Sequence, residues 1–220
     1  MSLQREHATA LAYFHRALQL EPSYAYAYTL SGHEYAANDD LDKALTCYRN
    51  ALRADSQHYN AWFGVGHVYY RQEQYPLAEY HFRRALSINK NSSVLRCYLG
   101  MALHKIGRLP DALATLTAAT AADPRNPLAR FERAAVLVAQ ERLPDALEEL
   151  EALKVKNVAP REASVLFQMG KVLKKMGRTD EALACLCAAL DLQPPSADSN
   201  LIRAAVERLK VADEQDGEEL

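Results

Sequence analysis

The chain has 220 residues, of which 49% are hydrophobic and 25% charged, and its formal net charge is −2. This composition is typical of a folded globular protein and excludes a mainly disordered chain. The small net charge argues against a nucleic-acid-binding protein, which would concentrate Lys and Arg on one face. No apolar run approaches the roughly eighteen residues of a membrane span, and MSLQREH is not a signal peptide, so we expect no membrane partner.

The four cysteines are Cys47, Cys97, Cys185 and Cys187, and none has the C-x2-C spacing of a metal or redox motif. All four lie within helical sequence patterns, where Cys185 and Cys187 point to different faces of one helix. We interpret them as reduced packing or surface thiols. Together with the lack of a membrane span and signal peptide in the sequence, this leads us to expect an intracellular protein of the nucleus and cytoplasm.

Small residues recur along the chain at a nearly constant interval. Gly32, Gly66, Gly100, Ala134 and Gly170 are separated by steps of 34, 34, 34 and 36 residues. Two further series keep the same steps, and they are Ala44, Ala78, Ala112, Ala146 and Ala182, and Tyr48, Phe82, Leu116, Leu150 and Leu186. A fixed period of this length marks a solenoid in which each helix pair buries its apolar face against its neighbours.

The stretch HYNAWFGVGHVYYRQEQYPLAEYHFRRALSINK, residues 58–90, identifies the kind of repeat. It matches the tetratricopeptide (TPR) pattern W-x2-L-G-x2-Y…A-x3-F at Trp62, Val65, Gly66, Tyr69, Ala78 and Phe82, with Val in place of Leu. We therefore predict an all-α, right-handed superhelical TPR solenoid of one half repeat, five repeats and a C-terminal capping helix.

In chain order, residues 3–24 form the half repeat, a lone second helix, which leads us to expect further repeats upstream. Five repeats follow at about 25–58, 59–92, 93–126, 127–162 and 163–196. A cap helix over 198–210, started by Asp198 or Ser199, would complete a single array over 1–210. Residues 211–220 are predicted to be an acidic disordered tail.

Individual residues predict local features of these repeats. Asn38–Asp40 and Gly107 are expected in turns, and Pro76 is expected in the first turn of a helix, where a missing N–H costs little. Repeat four departs from the pattern, with Arg130 and Arg133 where an aromatic residue and Leu are usual. Its exit loop, residues 154–162, carries the two extra residues of the 36-residue step.

In TPR proteins, positions 2, 5, 9, 12 and 13 of each first helix face the concave groove. Here these positions are polar or aromatic where the fold does not require it, and such surfaces bind peptides. The candidate peptide-binding residues at these positions are Tyr26, Thr29, His33, Asn60, Phe63, His67, Tyr70, Arg71, Cys97 and Met101.

Other motifs give weaker indications. Gly64-x-Gly66-x-x-Tyr69 lacks the strand and third glycine of a dinucleotide site, so we favour helix packing. His33-Glu34 begins like a zincin helix but lacks the second His. His33, His67, Cys97 and His104 fall on one predicted strip, where a peptide surface is favoured over a metal site. No catalytic constellation is present, so we predict no enzyme activity, no metal and no cofactor.

Three lysines, Lys171, Lys174 and Lys175, occupy groove positions of repeat five. They are interpreted first as a solvated face or as partners of the chain's own acidic tail. A carboxylate or phosphate on an external partner is the alternative.

Three segments resemble one family more closely than the general TPR pattern does. They are YAYAYTLSGHEY at 24–35, residues 58–89 of the matched stretch, and GKVLKKMGRTDEALACL at 170–186. SLQREH at the start, YNAW at 59–62 and NPL at 126–128 are outside the TPR consensus and add to the resemblance. Over about residues 2–210, the chain resembles the C-terminal TPR array of the homodimeric anaphase-promoting complex subunit that receives coactivators.

The resemblance implies a non-catalytic scaffold of a cell-cycle ubiquitin ligase, which contacts other subunits of that complex. Its concave groove would bind the C-terminal Ile-Arg tails of coactivators and of the processivity subunit. Asn60 would hold the tail backbone, Glu34 would meet the tail arginine, and Tyr26, His33, Phe63, His67 and Met101 would shape the pocket. Homodimerisation of the full-length protein would use repeats absent from this chain.

Two other functions compete with this one. A chaperone-tail adaptor of the carboxylate-clamp type would need Lys and Asn where this chain has Thr29, His33 and Gly64. A docking arm of an enzyme encoded outside these residues is the other alternative. Further TPR repeats alone on the full-length product would exclude it.

Overall fold

The computed structural model describes residues 2–155, 162–192 and 199–208, and most of these residues are helical. The chain divides into two compact units, residues 1–122 and residues 123–220. The prediction of an all-α class built from helix pairs is confirmed. The prediction of a single array over 1–210 remains a prediction, and the two units are described separately below. None of the described helices is long and apolar enough to cross a membrane.

The first unit contains a lone helix followed by three helix pairs. Its helices are α1 (Ser2–Leu20), α2 (Ala25–Ala37), α3 (Leu41–Ala54), α4 (Tyr59–Arg71), α5 (Tyr75–Ile88), α6 (Ser93–Ile106) and α7 (Leu109–Ala122). The lone helix α1 packs on α2 of the first pair. Each pair then packs on the next, since α3 contacts α4 and α5 contacts α6. The first helices of successive repeats also touch, α2 against α4 and α4 against α6, so their exposed faces form one surface.

Helix starts in this unit use the side chains expected there. Asp40 caps α3 by accepting from the Lys43 backbone N–H at 3.2 Å, and Ser92 caps α6 through Leu95 at the same distance. Pro76 lies in the first turn of α5, as predicted.

The recurring small residues mark close contacts between a first helix and the large side chain of a second helix. A Cβ placed on Gly32 would lie 2.5 Å from the ring of Tyr48, and one on Gly64 would lie 2.4 Å from it. The same contact recurs between Gly66 and Phe82, at 2.7 Å. Gly64 and Gly66 are therefore needed for helix packing, as the sequence predicted.

A left-handed backbone residue occupies the turn between the two helices of every repeat. The residues with positive φ are Asp39 (65°), Glu73 (61°), Gly107 (90°), Glu141 (58°) and Gly177 (76°). Their spacing repeats the steps of 34, 34, 34 and 36 residues. Only two of the five are glycine, the residue that adopts this conformation without steric cost.

The second unit contains two helix pairs and a further helical segment. Its helices are α8 (Pro127–Ala139), α9 (Leu143–Val155), α10 (Glu162–Lys175) and α11 (Thr179–Asp191), and residues 199–208 are also helical. Its core contains Leu150, Leu186 and Ile202, each at most 1% exposed. Because Ile202 belongs to the segment 199–208, that segment covers the core of the last repeat, as expected for a cap.

Repeat four replaces apolar packing with ion pairs. Arg130 donates to Glu149 of α9 at 3.3 Å, and Arg133 pairs with the same carboxylate. The exposed fractions of the three side chains are 20%, 19% and 14%. The departure of repeat four from the TPR pattern thus introduces a largely buried triad between its two helices.

Several sequence predictions fall outside the described residues. They concern the middle of the exit loop (156–161), Asp198 as a cap residue, the end of the cap helix at 209–210, and the acidic tail at 211–220.

Candidate peptide-binding groove

Helix α4 supplies the centre of the predicted groove in the first unit. Asn60, Phe63 and His67 are all partly buried and follow one another at three- and four-residue spacing, which places them on one helix face. The Asn60 side chain has no hydrogen-bond partner among the described residues, so its donors and acceptor remain available. An Asn amide can both donate to and accept from an extended peptide backbone.

An aromatic wall stands beside Asn60. The ring of Phe63 lies 4.9 Å from Tyr98 of α6, edge to face, and 5.8 Å from the buried Phe82 of α5. His67 meets the same Tyr98 ring at 5.7 Å. Tyr98 is therefore central to this wall, although the sequence prediction omitted it. Its helix position is not one of the expected groove positions, and only the approach of α6 to α4 reveals the contact.

The neighbouring first helix, α2, presents Tyr26 and His33. Tyr26 is 46% exposed and its ring meets His58, at the start of α4, edge to face at 5.8 Å. His33 is exposed as a residue, but its Nδ1 lies 2.9 Å from the hydroxyl of the buried Tyr48. Burial lowers the pKa of His33 and of His67 below the usual value, so both imidazoles are neutral at pH 7.

Two predicted groove residues are buried. Thr29 is 2% exposed and its hydroxyl donates to the Ala25 carbonyl at 3.0 Å. Cys97 is 0% exposed, and its thiol is reduced. A bound peptide cannot touch either side chain in this structure, so both lie beneath the groove surface. Helical spacing indicated the face on which they lie but not how closely the next helix covers that face.

Glu34 is already engaged in an ion pair. Its carboxylate pairs with His7 of α1, and each of the two side chains is 26% exposed. A peptide arginine would therefore compete with His7 for this carboxylate. The Glu34 side chain therefore lies against α1.

Arg71 joins the first two repeats. It donates to the Ala36 carbonyl at 2.6 Å and to the Asp39 carboxylate at 2.7 Å. Ala36 lies in the last turn of α2, so Arg71 also caps a neighbouring helix. Its guanidinium is thus committed mainly to structure, a role that groove position alone does not predict.

Tyr70 and Met101 complete the predicted set, and both are partly buried. The Tyr70 ring meets Tyr75 edge to face at 5.4 Å. In the described part of the chain, no group of three His, Cys, Asp or Glu side chains could hold a metal ion.

The three lysines of the second unit differ in their surroundings. Lys171 lies over the Phe167 ring at 5.4 Å, and Lys175 pairs with Glu141 at 3.2 Å. Lys174 is exposed and has no ion pair within the described residues. One of the three is therefore neutralised within the unit, and one packs on an aromatic ring.

Family models confirm the repeat assignment. Tetratricopeptide repeat models match residues 29–93, 99–160 and 163–196. The chain belongs to the tetratricopeptide-repeat family.

Curated relatives confirm the narrower resemblance. The chain is 47% identical over 215 residues to Cell division cycle protein 27 homolog B of Arabidopsis thaliana, which covers 98% of this chain and 29% of the relative. It is 40% identical over 213 residues to Anaphase-promoting complex subunit 3 of Schizosaccharomyces pombe, covering 97% of this chain and 31% of that protein. The chain thus spans about a third of the length of these relatives.

Solved structures share the fold. The peptide-binding TPR protein YrrB is 27% identical with a TM-score of 0.64, and the match covers 87% of this chain and 97% of YrrB. The Cut9 chain of the Cut9–Hcn1 heterotetramer of the anaphase-promoting complex matches with a TM-score of 0.81. That match covers 94% of this chain and 40% of the other, and at 19% identity it shows the fold alone.

Proposed function

We propose that this chain is a non-catalytic scaffold segment of an anaphase-promoting complex, a cell-cycle ubiquitin ligase of the nucleus and cytoplasm. Its groove binds the C-terminal Ile-Arg tails of coactivators and of the processivity subunit. Relatives that match almost the whole chain at 40 to 47% identity support membership of this complex. Contacts with other subunits, and dimerisation through repeats outside this chain, belong to the same proposal.

The observation that carries the tail-binding proposal is the uncommitted amide of Asn60 beside the wall formed by Phe63 and Tyr98. The amide would hold the tail backbone, and the wall would bury the isoleucine side chain. Tyr26, His33, His67 and Met101 border the same surface. Glu34 is the candidate partner for the tail arginine once its pair with His7 opens.

The carboxylate-clamp alternative has less support from the same residues. Gly64 has no side chain and packs on Tyr48, while Thr29 is buried. Neither can supply the Lys or Asn that such a clamp requires. Better binding of an acidic EEVD-type peptide than of an Ile-Arg peptide would reverse this preference.

The test is a titration of a labelled peptide ending in free Ile-Arg carboxylate. Its amidated form and its Arg→Ala form serve as ligand controls. We expect saturable binding by the wild-type chain and at least a tenfold loss for Asn60→Ala, because the backbone hydrogen bonds disappear.

Asn91→Ala is the matched protein control, since Asn91 is exposed in the turn before α6. Its affinity should equal that of the wild type, and circular dichroism should show equal helicity for all three proteins. Equal affinity of Asn60→Ala and wild type, or of the free and amidated peptides, would contradict the proposal.

A further inference from the structure

The geometry around His33 points to a role for the buried Tyr48. We infer that Tyr48 is a positioning residue: its hydroxyl donates to Nδ1 of His33 and so holds the ring with Nε2–H presented to a bound peptide. This inference rests on the proposed peptide-binding function and names one of its hydrogen-bond donors.

Tyr48 is fixed in place by three helices. Its side chain is 1% exposed, and its ring packs where Gly32 of α2 and Gly64 of α4 lack a Cβ. The hydroxyl lies 2.9 Å from His33 Nδ1, and this is its only hydrogen bond among the described residues. Tyr48 therefore has no room to turn its hydroxyl toward another partner.

The direction of this hydrogen bond follows from what burial allows. If His33 carried its proton on Nδ1, the Tyr48 oxygen would accept a hydrogen bond from Nδ1–H. The phenol hydrogen would then be buried without an acceptor. An unsatisfied buried donor disfavours that arrangement about tenfold or more. Burial also raises the pKa of Tyr48, so the phenol keeps its hydrogen. Nδ1 thus accepts, and the proton of the neutral imidazole lies on Nε2.

Consequently His33, an exposed residue of the groove helix α2, offers a defined hydrogen-bond donor. Nε2–H can donate to a peptide carbonyl or to the terminal carboxylate, the groups that a C-terminal tail presents. Protonation of the ring would add a hydrogen to Nδ1, which faces the Tyr48 hydroxyl. Nδ1 could then no longer accept the hydrogen bond from Tyr48.

Charged and titratable groups around His33 come from several elements. Burial has the largest effect and lowers the pKa of His33, Glu34 on α2 raises it, and His58 before α4 lowers it further. His67 of α4 is close enough for its own protonation to be opposed by a charge on His33. The hydrogen bond from Tyr48 adds to the preference for the neutral ring, because it is made to the unprotonated Nδ1.

Repeat two offers an internal comparison. His67 and Phe82 occupy the positions that His33 and Tyr48 occupy in repeat one, and Phe82 has no hydroxyl. Phe is therefore compatible with the fold at this position, and Tyr48→Phe is expected to fold. Tyr35→Phe is the matched control, since Tyr35 lies on α2 and its hydroxyl makes no hydrogen bond within the described residues.

The experiment has one arm without peptide. Nitrogen-15 spectra of the imidazole should show His33 in the wild type with a protonated Nε2 and a hydrogen-bonded, unprotonated Nδ1. In Tyr48→Phe, the Nδ1 resonance should move toward the chemical shift of an unprotonated nitrogen without a hydrogen bond, or toward the average for a mixture of the two tautomers. The pKa of His33 should rise. Tyr35→Phe should change neither. A protonated Nδ1 in the wild type, or spectra unaltered in Tyr48→Phe, would overturn the inference.

The second arm measures the affinity for the Ile-Arg peptide at pH 7.5. Tyr48→Phe should bind about three- to tenfold more weakly, while Tyr35→Phe should bind like the wild type. Equal affinity of Tyr48→Phe and wild type would show that the positioned proton does not serve the peptide, against the inference. Absence of any wild-type binding would instead reject the proposed function, while the spectra would still decide the state of His33.

Discussion

His81 shows how a single side chain can be held neutral by its neighbours. Its ring stacks on Trp62 at 5.5 Å and on Tyr69 at 5.4 Å, and Tyr80 meets it edge to face at 5.1 Å. Burial in this cluster, with a smaller effect of Arg49, lowers the pKa of His81 to about 4. The folded state therefore opposes protonation of a ring that the unfolded chain protonates near pH 6.5.

This cluster predicts a pH dependence of stability. Between pH 6.5 and 4 the unfolded chain binds more protons at His81, so the free energy of unfolding falls as pH is lowered through this window. Between pH 7.5 and 5, His81 alone should account for a loss of about 2 kcal/mol. Urea denaturation at pH 7.5 and pH 5 would measure the decrease in the free energy of unfolding. In His81→Phe this decrease should be about 2 kcal/mol smaller than in the wild type. An equal loss in both proteins would contradict the assignment.

At the scale of an element, the turns between paired helices carry conformational strain in three repeats. Asp39, Glu73 and Glu141 adopt positive φ, which costs a non-glycine residue about 1 to 2 kcal/mol. Asp39 and Glu141 also form ion pairs with Arg71 and Lys175. Glu73 is exposed and forms no ion pair in the described part of the chain, so its carboxylate offers no such compensation.

Glu73→Gly is therefore expected to stabilise the chain. The gain should be about 0.5 to 1 kcal/mol, because relief of the left-handed strain exceeds the greater flexibility of glycine in the unfolded state. Thermal and chemical denaturation would measure it. Glu73→Ala retains the strained backbone and should not raise the free energy of unfolding. If Glu73→Ala stabilised the chain as much as Glu73→Gly, removal of the carboxylate and not relief of strain would be the cause.

Repeat four depends on the triad of Arg130, Arg133 and Glu149. The Nε atom of Arg130 is buried without a hydrogen bond among the described residues, and both guanidinium groups pair with Glu149, so this carboxylate supplies much of their compensation. Glu149→Ala would leave two largely buried positive charges and should destabilise the second unit by about 3 kcal/mol. Amide hydrogen exchange resolved along the chain would locate the loss within α8 to α11.

The control for the triad removes all three charges together. In Arg130→Met/Arg133→Leu/Glu149→Met, no buried charge remains and the interface becomes apolar. We expect stability equal to or above that of the wild type. If the triple variant lost as much stability as Glu149→Ala, the loss would reflect packing volume rather than unpaired charge.

At the scale of the whole molecule, the division into two units separates the proposed binding residues from the rest of the chain. All of the residues assigned to the Ile-Arg groove lie within residues 1–122, which form one compact unit. A fragment of residues 1–122 should therefore remain helical and bind the Ile-Arg peptide within about threefold of the intact chain. Calorimetry of both proteins would test this, and loss of binding by a folded fragment would assign a contribution to residues 123–220.

The length of the relatives sets the context for this division. The chain covers 29% and 31% of two curated relatives, so more than two thirds of the length of each relative lies outside the match.

The repeat architecture was predictable from the sequence because packing between paired helices demands small residues at fixed positions. Gly32, Gly66 and Gly170 recur where a Cβ would collide with Tyr48, Phe82 or Leu186. The period of such residues is visible in the sequence and sets the phase of every helix. Five left-handed turns follow the same period, but three of them carry no glycine to signal it.

Only the tertiary structure determined which of the predicted groove residues are buried, which form ion pairs and which offer a hydrogen-bond donor. Helical periodicity gives the direction of a side chain from its own helix, whereas its partners come from helices elsewhere in the chain. Thr29 and Cys97 are buried, and Glu34 pairs with His7 of α1. His33 acquires its donor direction from Tyr48, fifteen residues away, because only the folded packing of α2, α3 and α4 brings that hydroxyl to its ring.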